Sequence, residues 1–219
     1  MKNIIEKEQK ACFDFFWNEV SLSDEVYGLI RDNTKNKNMC SIASIGFGLP
    51  AIVVGVERGY NSVKATLAAR QYCIDNAHIH KAYGENSWGL TACDTRDGYD
   101  GLIGSAPSGG NSTSHRSTGT VAAAGAIGSM PFAPEECIAA LENYMTYPKF
   151  IGEYGLKDAY NLNQNWYAPD TLGIDKGISL LMIANYESEI IWDLFMRNEN
   201  VQTGMEVLGF TDAEESETE

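Results

Sequence analysis

A chain of 219 residues with 44% apolar and 21% charged side chains suits one domain, or at most two small ones, and can bury a sizeable core. That balance excludes a wholly disordered chain, a collagen-like repeat and a small disulfide-stapled knot. Sixteen basic against 30 acidic residues give a net charge of −14; the stretch 211–219 holds five of the acids and no base, leaving −9 on residues 1–210. An acidic body lacks the basic face that phosphate binding needs, so nucleic acid is excluded as a partner.

The sequence predicts a single helical domain over 1–210 followed by an acidic, disordered tail over 211–219. Met1 to Lys10 carries charges but no apolar stretch follows it, so no signal peptide is visible and no compartment is implied. Ile5, Cys12, Phe13, Phe16, Trp17 and Val20 repeat at helical spacing. Tyr27 to Asn38 reads as a loop. Met39 to Val56 has no charge over eighteen residues but contains three glycines and a proline, which fits a helix enclosed by other helices better than a membrane span. Asn61 to Asn76 reads as an amphipathic helix with Val63, Leu67 and Ile74 on its apolar face.

Residues 84–128 hold ten of the 21 glycines and are expected to be largely loop, ending in a small-residue helix over Gly119 to Met130. Pro134-Glu135-Glu136 opens a marked helix, with proline in its first turn and acids at the positive end of its dipole. Cys137, Ile138, Leu141, Tyr144 and Met145 form its inner face, and Pro148 stops it. Tyr154 to Gly173 reads as an aromatic, Asn-rich loop. One long helix is expected from Asp175 to Arg197, with a stripe through Ile183, Tyr186, Ile190, Ile191, Leu194 and Phe195. No run alternates at period two, so the expected class is all-α, with apolar inner helices covered by amphipathic outer ones.

The densest chemistry lies between Tyr83 and Gly101, where Glu85, Trp88, Asp94, Asp97, Tyr99 and Asp100 interleave with glycines. A pyranose packs its C–H face on an indole or phenol and pairs its hydroxyls with planar carboxylate, amide or guanidinium groups. Glycosidic cleavage further needs two carboxyls, one protonated and one ionised; Glu85 and Asp94 are the catalytic candidates. The plain alternative is that Asp and Gly here are turn formers and Trp88 is core. A calcium loop competes, since Asp94, Asp97 and Asp100 are closely spaced oxygen donors, but the EF-hand pattern is not met. His115-Arg116 offers a proton carrier and a clamp, or simply a capping loop. Glu57-Arg58 and Asp175-Lys176 read first as internal ion pairs.

The five cysteines (Cys12, Cys40, Cys73, Cys93, Cys137) are dispersed, with no C-x-x-C, and there are only three histidines. This argues against a zinc site or a disulfide framework and for buried thiols. No lysine-bearing phosphate loop and no G-x-S-x-G elbow occurs, so no metal or organic cofactor is expected.

Several blocks, taken together, resemble the glucoamylase-like domain family, which includes bacterial endo-β-1,2-glucanases and a domain of cyclic β-1,2-glucan synthases. They are Ser41-Ile-Ala-Ser-Ile-Gly-Phe-Gly-Leu-Pro through Tyr60, Gly84-Glu-Asn-Ser-Trp-Gly-Leu-Thr-Ala-Cys-Asp94, Asp97-Gly-Tyr-Asp100, His115-Arg116, Ser129-Met-Pro-Phe-Ala-Pro-Glu-Glu136, Asn165-Trp-Tyr167 and Gly173-Ile-Asp-Lys-Gly-Ile-Ser179. The resemblance implies an (α/α)6 toroid of helical hairpins that hydrolyses β-glucan with inversion. In the family a long central segment with the catalytic carboxylates separates the helices that here join directly at Tyr60–Asn61. The implied remainder is a partial toroid whose substrate-facing side carries Trp88, Asp94, Tyr99, Asp100, His115, Arg116, Trp166 and Asp175. The implied ligand is an oligosaccharide or β-glucan. An incomplete ring leaves inner-helix flanks open, from which self-association is expected. The rival expectation is a glucan-binding remnant without turnover.

Overall fold

A computed structural model describes residues 4, 5, 7, 8, 11, 59–101, 103 and 118–208. The readings of 12–58, of Cys12 and Cys40, of Glu57-Arg58, of His115 and Arg116, and of the 211–219 tail fall outside the described residues. Helix α1 (Gly59–Asp75) runs unbroken through the Tyr60–Asn61 junction. Its expected apolar face is turned the other way: Val63 and Leu67 are exposed, while Thr66 and Cys73, seven residues apart, are buried.

The expectation of an all-α chain is corrected. Among the described residues, six α-helices are accompanied by seven short strands in three antiparallel sheets. Strand β1 (Cys93–Thr95) pairs with β2 (Gly98–Asp100), placing Cys93 opposite Asp100 and Asp94 opposite Tyr99. Thr95 closes the turn, its Oγ1 donating to Gly98 O at 2.7 Å. Strand β3 (Val121–Ala122) begins what reads in sequence as a helix; only α2 (Ala123–Ile127) is helical there. Helix α3 (Pro134–Tyr144) matches the sequence reading closely, with Cys137, Ile138, Ala140, Leu141 and Tyr144 buried. A 3-10 turn (Pro148–Phe150) leads into β4 (Ile151–Gly152), which pairs with β5 (Gly155–Leu156). Strand β6 (Ala159–Asn161) lies between β3 and β7 (Trp166–Tyr167). The stretch 154–173, expected as loop, therefore carries three short strands.

The predicted last helix is two. Helix α4 (Gly173–Ser188) ends at Glu189, which takes φ 54°, and α5 (Ile190–Met196) starts from there. Asn185 causes the break as much as Glu189: its Oδ1 accepts from Ile191 N at 3.0 Å and Trp192 N at 3.2 Å, capping α5 from the preceding helix. The predicted stripe stays buried at Ile183 but comes out to solvent at Tyr186, Ile190 and Leu194. Helix α6 (Glu199–Leu208) follows.

The main core gathers Ile5, Cys73, Trp88, Val121, Ile127, Leu141, Tyr144, Phe150 and Tyr160 around α2, α3 and the three-stranded sheet. Two backbones meet so closely at Gly89 that a Cβ there would collide with the Ala122 carbonyl oxygen, and its φ of 130° also belongs to glycine. Ala122 N donates to Gly89 O at 3.0 Å across the same contact. A smaller cluster, Cys93, Ile103, Ala122 and Ala159 with Trp166 against it, underlies the carboxylates described next.

Candidate active site

The β1–β2 hairpin, the lead-in to β6 and the first turn of α4 converge on the buried Cys93 thiol. Its pKa is driven well above the thiol range by burial and then by Asp158, Asp175, Asp94 and Asp100 around it. Four carboxylates from three parts of the chain thus share one neighbourhood.

Asp158 is the residue that reading the sequence missed. It is 1% exposed and sits immediately before β6. Its backbone is bonded on both sides, Asp158 N donating to Asp170 O at 3.2 Å and Ala123 N to Asp158 O at 3.3 Å. Its Oδ2 accepts from Asp94 N at 2.6 Å, which ties it to the hairpin. Asp158 Oδ1 and Asp175 Oδ2 are both buried without an N–H or O–H donor among the other groups. The two carboxyls are in hydrogen-bonding contact with one another. A proton on either carboxyl gives the pair a donor, which two carboxylates alone lack.

The ionisation follows. Burial pushes the Asp158 carboxyl up to about 7; the bond from Asp94 N works against this, and the charges of Asp94 and Asp170 add to it. Asp175 lies well above the usual carboxylate range, first through burial and then through the Asp158 charge, with Lys176 pulling the other way. Both carboxyls therefore hold a proton more tightly than an exposed aspartate does. Asp175 retains partial residue exposure, whereas Asp158 has almost none.

The predicted site residues divide. Asp94, Asp100 and Asp175 meet around Cys93, and Trp166, half-buried, packs on the same cluster. Tyr99 is 70% exposed at the hairpin, its ring over Gly101. Glu85 is held elsewhere: its side chain is 75% exposed and pairs with Arg70 of α1 at 3.1 Å, while Arg70 Nε donates to Glu85 O at 3.0 Å. Trp88 is 1% exposed and belongs to the main core, with Tyr144 Oη donating to its carbonyl oxygen. The ion pair expected within Asp175-Lys176 is instead made by Lys176 with Glu8, Nζ to Oε1 at 2.7 Å, both side chains buried. No group of three or more His, Cys, Asp or Glu among the described residues is arranged to hold a metal ion. Among the same residues no helix is long and apolar enough to cross a membrane.

Cys73, Cys93 and Cys137 are buried free thiols. An aromatic group behind the site links Tyr147, Tyr160 and Tyr167, with the Tyr160 and Tyr167 rings stacked at 6.0 Å. Tyr160 Oη also bonds Ser87 Oγ, which bonds Ala82 O, so the glycine-rich stretch is pinned to β6 through hydroxyls.

Carboxyl groups beside a half-buried indole are residue types that glycoside hydrolysis draws on. Residues 51–199 match the Glycoamylase family of glucoamylase-like proteins, and the chain belongs to that family. Over 148 residues it is 36% identical to an exo-β-1,2-glucooligosaccharide sophorohydrolase (non-reducing end) of Parabacteroides distasonis, covering 67% of this chain and 19% of that protein. A glucoamylase-like crystal structure from Bacteroides uniformis is 41% identical with a TM-score of 0.60, over 68% of this chain and 34% of the other. An endo-β-1,2-glucanase from Chitinophaga pinensis, solved with sophorotriose and glucose, is 34% identical with a TM-score of 0.59, over 67% of this chain and 34% of the other. The chain thus spans about a third or less of the length of the relatives it matches.

Proposed function

We propose that this chain carries the proton-holding part of a glycoside-hydrolase site for β-1,2-linked glucan. The observation that carries the reading is the Asp158–Asp175 pair, two buried carboxyls from separate elements whose proton affinity is raised by burial and by their neighbours' charge. The glucan class is supported by the names of relatives at 34–36% identity, a β-1,2-glucanase and a β-1,2-glucooligosaccharide hydrolase.

In this reading Asp175 gives the shared proton to the glycosidic oxygen as the C–O bond breaks. Asp175 is then left ionised beside the Asp158 carboxylate, and the pair regains its proton from solvent before the next cycle. A water adds to the anomeric carbon and surrenders its proton to a carboxylate base. Asp94, half-buried on β1 and bonded through its N–H to Asp158, is the candidate base. Trp166 supplies an apolar edge for a sugar ring, and Asp100 and Tyr99 border the same patch. A pair in hydrogen-bonding contact is too close to be the acid and the base, since those stand roughly 5–9.5 Å apart across the scissile bond. Asp158 and Asp175 therefore count as one proton carrier, not two catalytic groups.

That count favours a second reading, in which the chain binds glucan without turnover or completes its cleft by association. It is supported by the contact that makes Asp158 and Asp175 a single proton carrier. The test is incubation of the protein with linear β-1,2-glucan, reading new reducing ends. Turnover that Asp175→Asn abolishes supports the first reading. No product at high protein load, with a ligand-dependent rise in melting temperature, supports the second.

A further inference from the structure

We propose that the buried Glu8–Lys176 ion pair is a positioning clamp for the Asp158–Asp175 carboxyl pair, holding together the two chain segments that carry it and setting the charge it feels. The inference rests on the reading of that pair as the proton carrier, and its test is built to fail separately from it.

The geometry runs through one carboxylate. Glu8 is fully buried, and its Oε1 accepts from Lys176 Nζ at 2.7 Å. The same carboxylate accepts from Leu156 N, at 3.3 Å through Oε1 and 3.2 Å through Oε2. Lys176 is the residue after Asp175 in the first turn of α4, and Leu156 ends β5 two residues before Asp158. Glu8 is therefore bonded to both arms of the site at once, one residue from one acid and two from the other. The fit is tight on a third side: Gly155 stands against Glu8 with φ 76°, and a Cβ there would run into the Glu8 carboxylate.

Charge makes the clamp more than a staple. Asp94 and Asp170 act on the carboxyl pair, and Asp100 lies with the pair and Asp94 around the Cys93 thiol. Lys176 is the cation that acts on Asp175, from the same helical turn. Glu8 in turn neutralises Lys176 in a region with almost no water to do so. The two members of the clamp hence push the shared proton in opposite directions. Without the Lys176 charge the pair holds its proton more tightly. Without the Glu8 charge, the pull of Lys176 on the pair is stronger and the proton leaves more easily.

The test is a titration of the protonated-carboxyl infrared band on the full chain, with Asp158→Asn used to assign the band. Lys176→Met is expected to raise the midpoint by about one pH unit and Glu8→Gln to lower it by about as much, the size typical of one nearby charge. Lys176→Arg restores the wild-type midpoint. Because Lys176→Met removes a buried partner and folds poorly if at all, Glu8→Gln and Lys176→Arg carry the test without it; glutamine keeps an acceptor for Leu156 N. Midpoints that stay at the wild-type value, or move the same way in both variants, overturn the proposal. The infrared readout is independent of turnover: opposed shifts in a protein that cleaves no glucan refute the hydrolase reading and leave the clamp standing, and unmoved midpoints in an active protein do the reverse.

Discussion

Replacing Asp158 by asparagine tests the proton-sharing pair through stability alone. The amide side chain still offers an oxygen to Asp94 N and presents its NH2 group to Asp175, so the change removes a charge at nearly constant shape. In the wild type the Asp158 carboxyl is raised from 3.8 to about 7. A carboxyl raised by folding contributes stability that is complete below its unfolded pKa and is lost as pH climbs through the folded one. The full swing is about 4 kcal/mol at roughly 1.4 kcal/mol per unit, with no discount for solvent because the residue is 1% exposed. The acid half of that window approaches the isoelectric point near 4.6, where solubility fails. Between pH 5.5 and 8 the linkage integral leaves about 2 kcal/mol. Urea titrations followed by circular dichroism at half-unit steps give stability against pH for both proteins, and their difference cancels every carboxyl that the substitution does not touch. Wild type is expected to lose about 2 kcal/mol more than Asp158→Asn over that range. Parallel curves, or a wild type that gains relative to the variant as pH rises, would refute the shared proton.

Other outcomes follow from the same structure. Lys176→Met, which removes the cation beside the buried Glu8 carboxylate, is expected to cost about 3–5 kcal/mol by chemical denaturation, and Glu8→Gln/Lys176→Met together to regain most of it. Gly89→Ala forces a Cβ into the Ala122 carbonyl and should lower stability by several kcal/mol more than Gly98→Ala, where φ is 116° but no atom lies within 4 Å; equal losses in thermal melts would discount the close approach. Asn185→Ala removes the acceptor for Ile191 N and Trp192 N and should cost about 1 kcal/mol, with Asn185→Asp retaining most of it. Trp192, whose ring packs on Phe132 at 6.1 Å, reports that loss by fluorescence. With Cys12 and Cys40 replaced by serine, Cys73 and Cys137, both pushed up to about 12 by burial, and Cys93 should not react with a thiol reagent at pH 8 until denaturant is added.

Helix α3 was legible because proline, two acids and a 3.6-residue repeat all agree at one place. The sheets were not, and the reason is physical. Their strands are two or three residues long, and β6 is buried at Ala159, Tyr160 and Asn161 alike, so neither length nor alternation announces them. The break at Glu189 is equally silent, since a non-glycine residue in the left-handed region leaves no Gly or Pro to read. Within the site, Asp94 and Asp100 could be picked by type, and Trp166 and Asp175 only through the family resemblance. Trp88 shares their neighbourhood in sequence but packs into the main core, and Glu85 faces Arg70.

The overlooked sheets and the overlooked acid are one omission. Asp158 draws no notice in Lys157-Asp158-Ala159 if that stretch is loop, because a loop acid is ordinarily solvated. Once β6 is recognised as an inner strand between β3 and β7, the residue leading into it must be enclosed, and an enclosed carboxyl needs a partner or a proton. Asp94 N provides part of the partnership, and Asp175 supplies the rest only by sharing a proton. The same reasoning explains why the acids of this patch come from strands and a helix start. A flexible glycine-rich loop would let Asp94 and Asp158 relax apart into water, and the raised proton affinity would vanish with the burial that causes it. The short strands around Cys93 keep the carboxyls together against their mutual repulsion, and Glu8 braces the arrangement from behind through Leu156 and Lys176.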